Sequence, residues 1–385
     1  MRYLLLRMKR FCGFIVGFVF FVSGILKIMD PVGAGLVMKE YMEFLHLGFL
    51  SFAAKLTGTA FAMAEVVIGI GLVTGVWRRI VAPVAIAIQG FFTLLTLLLV
   101  IFNPEMDCGC FGEAIHLTHM ETFIKNIILL ILLLIYYIPK KHLGETKARK
   151  YVAFGIVTIS ALAFCIYSWI HIPLIDYTAF KPGTHLGSSD SEANYESVFV
   201  YEKDGIQQTV TLENLPDSTW TFVSTETVRM DRDDENTVNL SFYDTDGVYA
   251  DSLAMKGKVM IISIYESRLR HAQKERAERF MSDARKAGFK ALLLTSSEQV
   301  ASEFEESYIC DYKTLITLNR SNGGATYFSD GYLVRKWGAH SYPDASDLEA
   351  LSHEDMTETI IRHDTNSSLT FQAFLLYVFA VMLLL

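Results

Sequence analysis

Cys108 and Cys110 stand one residue apart in the hexapeptide Asp107-Cys108-Gly109-Cys110-Phe111-Gly112, within a segment, 103–119, that holds no Lys or Arg and separates two apolar stretches. Two thiols with a glycine between them can bring their Cα atoms into the window of about 4.4–6.8 Å that a disulfide needs, and the small ring is strained and more easily reduced than a stapling bridge. Such a pair suits thiol–disulfide exchange. Exchange requires one sulfur to be presented as a thiolate, which forms most readily near cations or a helix N-terminus. Asp107 and Glu113 oppose ionisation through their charge, whereas His116, His119 and the amino end of the next apolar stretch favour it. In an oxidising compartment the pair is expected to rest as the disulfide. Two blander uses stand beside this one. The pair can serve as a structural bridge or loop-shaping turn. Alternatively, Cys108, Cys110, His116 and His119 offer donors suited in type to Zn or Cu(I), at a spacing irregular for a structural zinc site. Redox exchange is the expected use of Cys108 and Cys110, with His116 and His119 in support and no metal.

The rest of the chain must hold that loop at a membrane face. Of 385 residues, 51% are hydrophobic and 27 are Phe, a composition of membrane rather than soluble proteins. Apolar stretches at about 11–29, 56–77, 80–102, 120–138 and 151–172 each approach the roughly 20 residues that cross a bilayer. The run 368–385 is expected to be a sixth span. Met1 to Ser23 has the basic start and apolar centre of a signal peptide, but no small-x-small cleavage site follows, so it is read as an uncleaved first span. Basic residues crowd at Arg2, Arg7, Lys9 and Arg10, at Arg78 and Arg79, and at Lys140, Lys141, Lys147, Arg149 and Lys150. The positive-inside rule puts these in the cytoplasm. Alternation then places the Cys108 loop, a loop at 39–55, and the region 173–367 on the outer side. A formal net charge of -8, with no basic face to neutralise phosphates, argues against nucleic acid as a partner.

Glu65 falls near the middle of the second span, where an ionisable group is costly and faces a partner or a cavity. Lys27, late in the first span, is the expected structural partner; a protonated Glu65 lining a quinone or proton path is the sharper alternative. Gln89 and Asn126 are expected to act as interhelical hydrogen-bond glue. Cys12, Cys165 and Cys310 have no local partner and are expected to be inert packing residues, with Cys310 meeting the loop cysteines as the alternative.

The outer region is polar and turn-rich. Hairpin signals occur at Lys203-Asp204-Gly205 and at Asp244-Thr245-Asp246-Gly247. The run 258–265 is continuously apolar, as in a strand covered on both faces. A charged helical stretch at 271–287 and an apolar run at 290–295 complete a β-α-β unit. A strand at 315–318 and a closing hairpin around Ser329-Asp330-Gly331 are expected to follow.

Ser23-Gly24-Ile25-Leu26-Lys27-Ile28-Met29-Asp30-Pro31 and the glycine-bearing stretch from Glu65 to Gly75 resemble signatures of DoxX-like membrane proteins. The Cys motif followed by Lys125-Asn126 resembles the MauE branch, the methylamine-utilisation membrane proteins. The resemblance covers about 11–138. It implies a four-helix membrane bundle that assists disulfide formation or maturation of a periplasmic partner. The region 240–343 resembles a thioredoxin-like fold, yet Glu266-Ser267-Arg268-Leu269-Arg270 replaces the expected Cys-x-x-Cys, and Gly323-Gly324 stands where a cis-Pro is expected. That domain is expected to lack dithiol activity, with Arg268, Arg270 and His271 forming a solvated helix start or an anion-binding face. The layout resembles vitamin K epoxide reductase homologues fused to a thioredoxin domain, in architecture only.

The expected fold is an α-helical integral membrane bundle with a four-helix DoxX/MauE-like core and additional spans, carrying an α/β thioredoxin-like extracytoplasmic domain. Its divisions are 1–139 for the bundle, 140–172 for a cytoplasmic loop and fifth span, 173–367 for the periplasmic domain, and 368–385 for the last span. The expected function is thiol–disulfide redox support or maturation of a periplasmic client in a bacterial inner membrane, with Cys108 and Cys110 reacting, Glu65 and Lys27 supporting, and a quinone as electron acceptor. The alternative is a non-catalytic, membrane-anchored scaffold or assembly factor.

Overall fold

The computed structural model describes residues 2–104, 106–138, 146–187, 195–203, 206–210, 221–229, 237–244, 246–304 and 306–384. These form two compact units, one of residues 1–178 with 361–385, the other of residues 179–360.

The first unit opens with α1 (Arg2–Met29), which ends at Asp30-Pro31. Asp30 accepts from the Gly33 backbone N–H at 2.9 Å and Pro31 takes the first helical position, so a second helix, α2 (Pro31–Phe44), starts at once. A 3-10 turn (Gly48–Ala53) leads into α3 (Ala54–Thr74), followed by α4 (Arg78–Phe102), the short strand β1 (Cys110–Glu113), α5 (His119–Tyr137) and α6 (Ala148–Ile170). The expected loop at 39–55 is therefore largely helical; hydropathy alone passes over α2 because it is too short to span. Six helical segments among the described residues are long and apolar enough to cross a membrane. The sixth, α11 (Met356–Leu384), begins twelve residues before the apolar run expected at 368, because Asp355 accepts from Glu358 N and caps an amphipathic start.

Close approach of α1 and α3 sets the bundle. A Cβ on Gly24 would lie 2.6 Å from Ala62 O, and one on Gly69 would lie 2.6 Å from Phe21 N. Small residues thus bring the two backbones into contact, as in tightly packed membrane helices. Around this seam, Phe21, Ile25, Ile28, Val66 and Ile70 pack with Val157 and Phe164 of α6 and Val378 of α11. On the other flank, Val16, Phe20, Ile68 and Leu72 pack with Ala82 and Ala85 of α4 and Leu129 and Leu133 of α5. Lys9 donates to Ile138 O at 2.5 Å and Thr146 to Gly75 O at 2.5 Å, so the described basic clusters share one end of the bundle. The cysteine loop, joining α4 to α5, lies at the other.

The second unit contains an eight-stranded mixed sheet and a separate three-stranded sheet. In chain order the elements are β2 (His185–Leu186), β3 (Tyr195–Lys203), β4 (Ile206–Val210), β5 (Thr221–Arg229), β6 (Thr237–Val238), β7 (Phe242–Tyr243), β8 (Lys258–Ile264), α7 (His271–Lys286), β9 (Lys290–Thr295), α8 (Glu298–Ala301), β10 (Tyr308–Cys310), α9 (Tyr312–Leu318), β11 (Gly324–Ser329), β12 (Tyr332–Trp337) and α10 (Ala345–His353). The large sheet runs β6-β2-β12-β11-β8-β9-β10-β7, and the small one runs β4-β3-β5. β3 and β4 pair antiparallel as the first hairpin signal requires, although Asp204 and Gly205 lie outside the described residues. Tyr243 bridges Tyr249 antiparallel around the second signal, in which Thr245 lies outside them.

β8 and β9 are parallel neighbours joined through α7, as the β-α-β reading expects, and β11 pairs antiparallel with both β8 and β12. β8 is central and buried on both sides. Met260, Ile262 and Ile264 face the α7 side with Ala277, Phe280 and Ala284, whereas Val259 and Ile261 face Phe242, Leu292 and Leu294. The strand expected at 315–318 is instead the helix α9. Asp311 accepts from Thr314 N at 3.0 Å and starts the helix, and Leu315, Ile316 and Leu318 are buried; a four-residue run with three apolar members fits either state until the cap is considered.

Candidate functional site

The cysteine loop closes one end of the bundle over an apolar cavity of about 260 Å³. Val19, Phe20, Phe91, Phe92 and Leu95 give the cavity its apolar wall, and Ser23, Lys27, Tyr41, Glu65, Gln89, Lys125 and Asn126 supply its polar points; Cys108, Gly109 and Cys110 line it as well. The two sulfurs are not bonded to each other in this structure. Cys108 is buried and Cys110 is half-buried.

Two hydroxyls hold the loop down by its backbone. Tyr41 of α2 donates to Cys108 O at 2.5 Å, and Ser23 of α1 donates to Cys110 O at 2.6 Å while also lying 2.9 Å from Glu65 Oε2. Burial, with the two thiols and nearby acids, raises the Tyr41 phenol well above its ordinary range, so it is a donor at all physiological pH. Gly109 sits in the left-handed region at φ 56°, where a Cβ would meet Val37 Cγ1 at 2.3 Å. Gly109→Ala is therefore expected to cost roughly 1–3 kcal/mol from combined strain and overlap. Its check is thermal unfolding of the full chain in detergent alongside the alkylation rate of Cys108, which should rise as the loop lifts.

Lys27 and Glu65 meet as expected, with Nζ 2.8 Å from Oε1 and 2.9 Å from Oε2. The α1–α3 glycine seam places them there, and Lys27 also stands 6.0 Å from the Phe92 ring. The two side chains thus form an ion pair between adjacent spans. Gln89 donates to Asn126 O at 3.1 Å, and Asn126 to Thr96 Oγ1 at 3.3 Å, joining α4 to α5 as the glue reading expects.

The two loop histidines part company. His116 is exposed, its Nδ1 3.7 Å from Asp107 Oδ2, whereas His119 turns inward, with Nδ1 2.9 Å from Cys108 Sγ and Nε2 3.0 Å from Pro104 O. Thr118 and Glu121 cap α5 reciprocally and so fix the register that aims His119 at the sulfur. Thr122, one turn on, is fully buried on the same face. Burial pushes the Cys108 thiol up; Thr122 and the Lys125 charge oppose that shift, and Cys110 and Asp107 add to it. With His116 turned away, the four loop donors do not converge, and no group of three or more His, Cys, Asp or Glu among the described residues could hold a metal ion.

In the second unit, Cys310 is buried and donates to Leu240 O at 3.2 Å, and burial pushes its thiol up to about 12. It is an inert core residue. Arg268, Arg270 and His271 are exposed, and His271 lies 3.3 Å from Glu275, the geometry of a solvated helix start. Sequence reasoning missed Val37, Tyr41, Ser23 and Lys125. The signal for the first two was the Asp30-Pro31 helix start, which commits the following residues to a helix against the loop.

Residues 2–139 match the family described as Methylamine utilisation protein MauE. Residues 195–230 match a domain of unknown function, DUF8463. The chain is similar to Protein TlpB of Flavobacterium psychrophilum, at 26% identity over 167 residues, 43% of this chain and 45% of that protein. The match thus spans less than half of that relative. No solved structure matches. With six apolar helices and this family match, the chain is a multi-pass membrane protein with an α/β unit after its first five spans.

Proposed function

We propose, from a bundle of the MauE type over residues 2–139, that the protein is a thiol–disulfide redox centre of a bacterial inner membrane. Cys108 and Cys110, as a disulfide, take two electrons and two protons from a client dithiol on the periplasmic face. As a dithiol they give both to a quinone lodged in the bundle cavity, restoring the disulfide. The observation that carries this reading is the placement of both sulfurs on one apolar cavity that also holds the Lys27–Glu65 pair. Small-molecule sites are concave and mainly apolar with a few polar points, and this cavity has that character.

The shared end of the basic clusters supports a cytoplasmic N-terminus and a periplasmic loop. The order β10-β9-β8-β11-β12, with α7 between β8 and β9, supports the thioredoxin-like reading of the second unit. Lacking its own Cys pair after β8, that unit recruits the client rather than relaying electrons. The scaffold alternative draws on a different observation, the burial of Cys108 and the two hydroxyl latches, which suit a shaped loop. Replacing both cysteines separates the two: client disulfides fail under the redox reading and persist under the scaffold reading.

A further inference from the structure

We infer that His119 is the acid–base residue of the exchange and fixes the order of the two sulfurs, so that the client thiolate attacks Cys110 while Cys108 leaves next to His119. This rests on the redox reading above and assigns a division of labour within it.

Three observations converge. A backbone carbonyl only accepts, so the 3.0 Å contact of Nε2 with Pro104 O places the ring proton on Nε2 and leaves a lone pair on Nδ1. That lone pair lies 2.9 Å from Cys108 Sγ, so the thiol donates to it and its proton has a receiver already aligned. The second observation is access. Cys108 is 4% exposed and lines the inner cavity, Cys110 is half-buried, and His119 lines a separate crevice on the loop with Asp107, His116 and Met120. An incoming thiolate therefore meets Cys110 first.

The third is the demand on the leaving group. Disulfide exchange speeds up as the departing thiolate is better stabilised. Burial makes Cys108 alone a poor leaving sulfur, so departure needs a proton or a cation at hand. The groups facing it are Asp107 and Cys110 from the loop, Thr122 and Lys125 from α5, the Tyr41 phenol from α2, and across the cavity the mutually paired Lys27 and Glu65. Beside these stands His119, whose imidazole can both accept and donate a proton along the 2.9 Å line from Nδ1 to Sγ.

The steps balance. The client thiolate bonds to Cys110 Sγ as the Cys108–Cys110 bond breaks, and the electron pair passes to Cys108 Sγ, which takes a proton from the His119 imidazolium. The second client thiolate then attacks the client sulfur of the mixed disulfide. Cys110 leaves and is protonated from water. In the closing direction the Cys108–Cys110 bond re-forms, the Cys108 proton returns to His119, and the quinone receives the two electrons together with the Cys110 proton and one proton from water.

The test uses the full chain in lipid discs, oxidised with a short-chain quinone and then exposed to glutathione, with tandem mass spectrometry locating the adduct. Glutathione on Cys110 is expected; glutathione on Cys108 overturns the assignment and leaves the redox reading standing. If no bridge forms and no adduct appears, both fall together. A second arm follows alkylation of Cys108 by iodoacetamide in the reduced protein between about pH 6 and 9. Wild type should depend weakly on pH, whereas His119→Gln should react about tenfold more slowly at pH 7, its rate climbing by about tenfold per pH unit. Superimposable profiles overturn the role of His119.

Discussion

Replacing Lys27 with Met while Glu65 remains should destabilise the bundle by roughly 3–5 kcal/mol, the cost of leaving a buried charge without its partner. Glu65 is 5% exposed as a residue and reaches Lys27 through both carboxylate oxygens. Ser23 has one proton, already engaged with Cys110 O and Glu65 Oε2. Glu65→Leu alone should be similarly harmful, whereas the double replacement should recover most of the loss, because two apolar side chains need no pairing. The measurement is the midpoint of unfolding in detergent for the two single variants and the double. Equal, additive losses would mean that the pair contributes through packing alone.

The second large effect is on chemistry. Cys108→Ser with Cys110→Ser should reduce oxidation of client dithiols to the uncatalysed level while leaving the unfolding free energy within about 1 kcal/mol of that of the reduced wild type, since serine is close to cysteine in volume. The backbone carbonyls that Tyr41 and Ser23 bind are retained, so the loop keeps its latches. Client disulfides followed by thiol labelling in cells carrying the variant provide the check. Normal client oxidation would favour the scaffold.

Much of this architecture is legible in the residues because a membrane imposes length and polarity on its spans. The five apolar stretches, the hairpins at β3–β4 and β11–β12, and the parallel β8–α7–β9 unit all follow from local period and turn chemistry. The pairing of Lys27 with Glu65 was also readable, because two opposite charges in adjacent spans have few other partners.

The misreadings have a common physical source. Hydropathy is a running average, so it overlooks α2, whose existence depends on a single aspartate-proline start, and it assigns residues 315–318 of α9, three of them apolar, to a strand although Asp311 caps a helix. The burial of Cys108 was equally illegible. It depends on Gly109 packing against Val37, a contact between positions far apart in the chain. The distinct fates of His116 and His119 follow from where α5 begins, which the Thr118–Glu121 capping box determines. That box was present in the sequence, and weighing it would have separated the two histidines.

The most direct test is a thiol count on reduced, full-length protein in lipid discs before and after addition of a short-chain quinone. The account predicts a loss of two thiols per chain, a Cys108–Cys110 cross-linked peptide, stoichiometric quinol, and return of both thiols on mild reduction. An unchanged count, with both cysteines still open to alkylation after prolonged exposure, would contradict it.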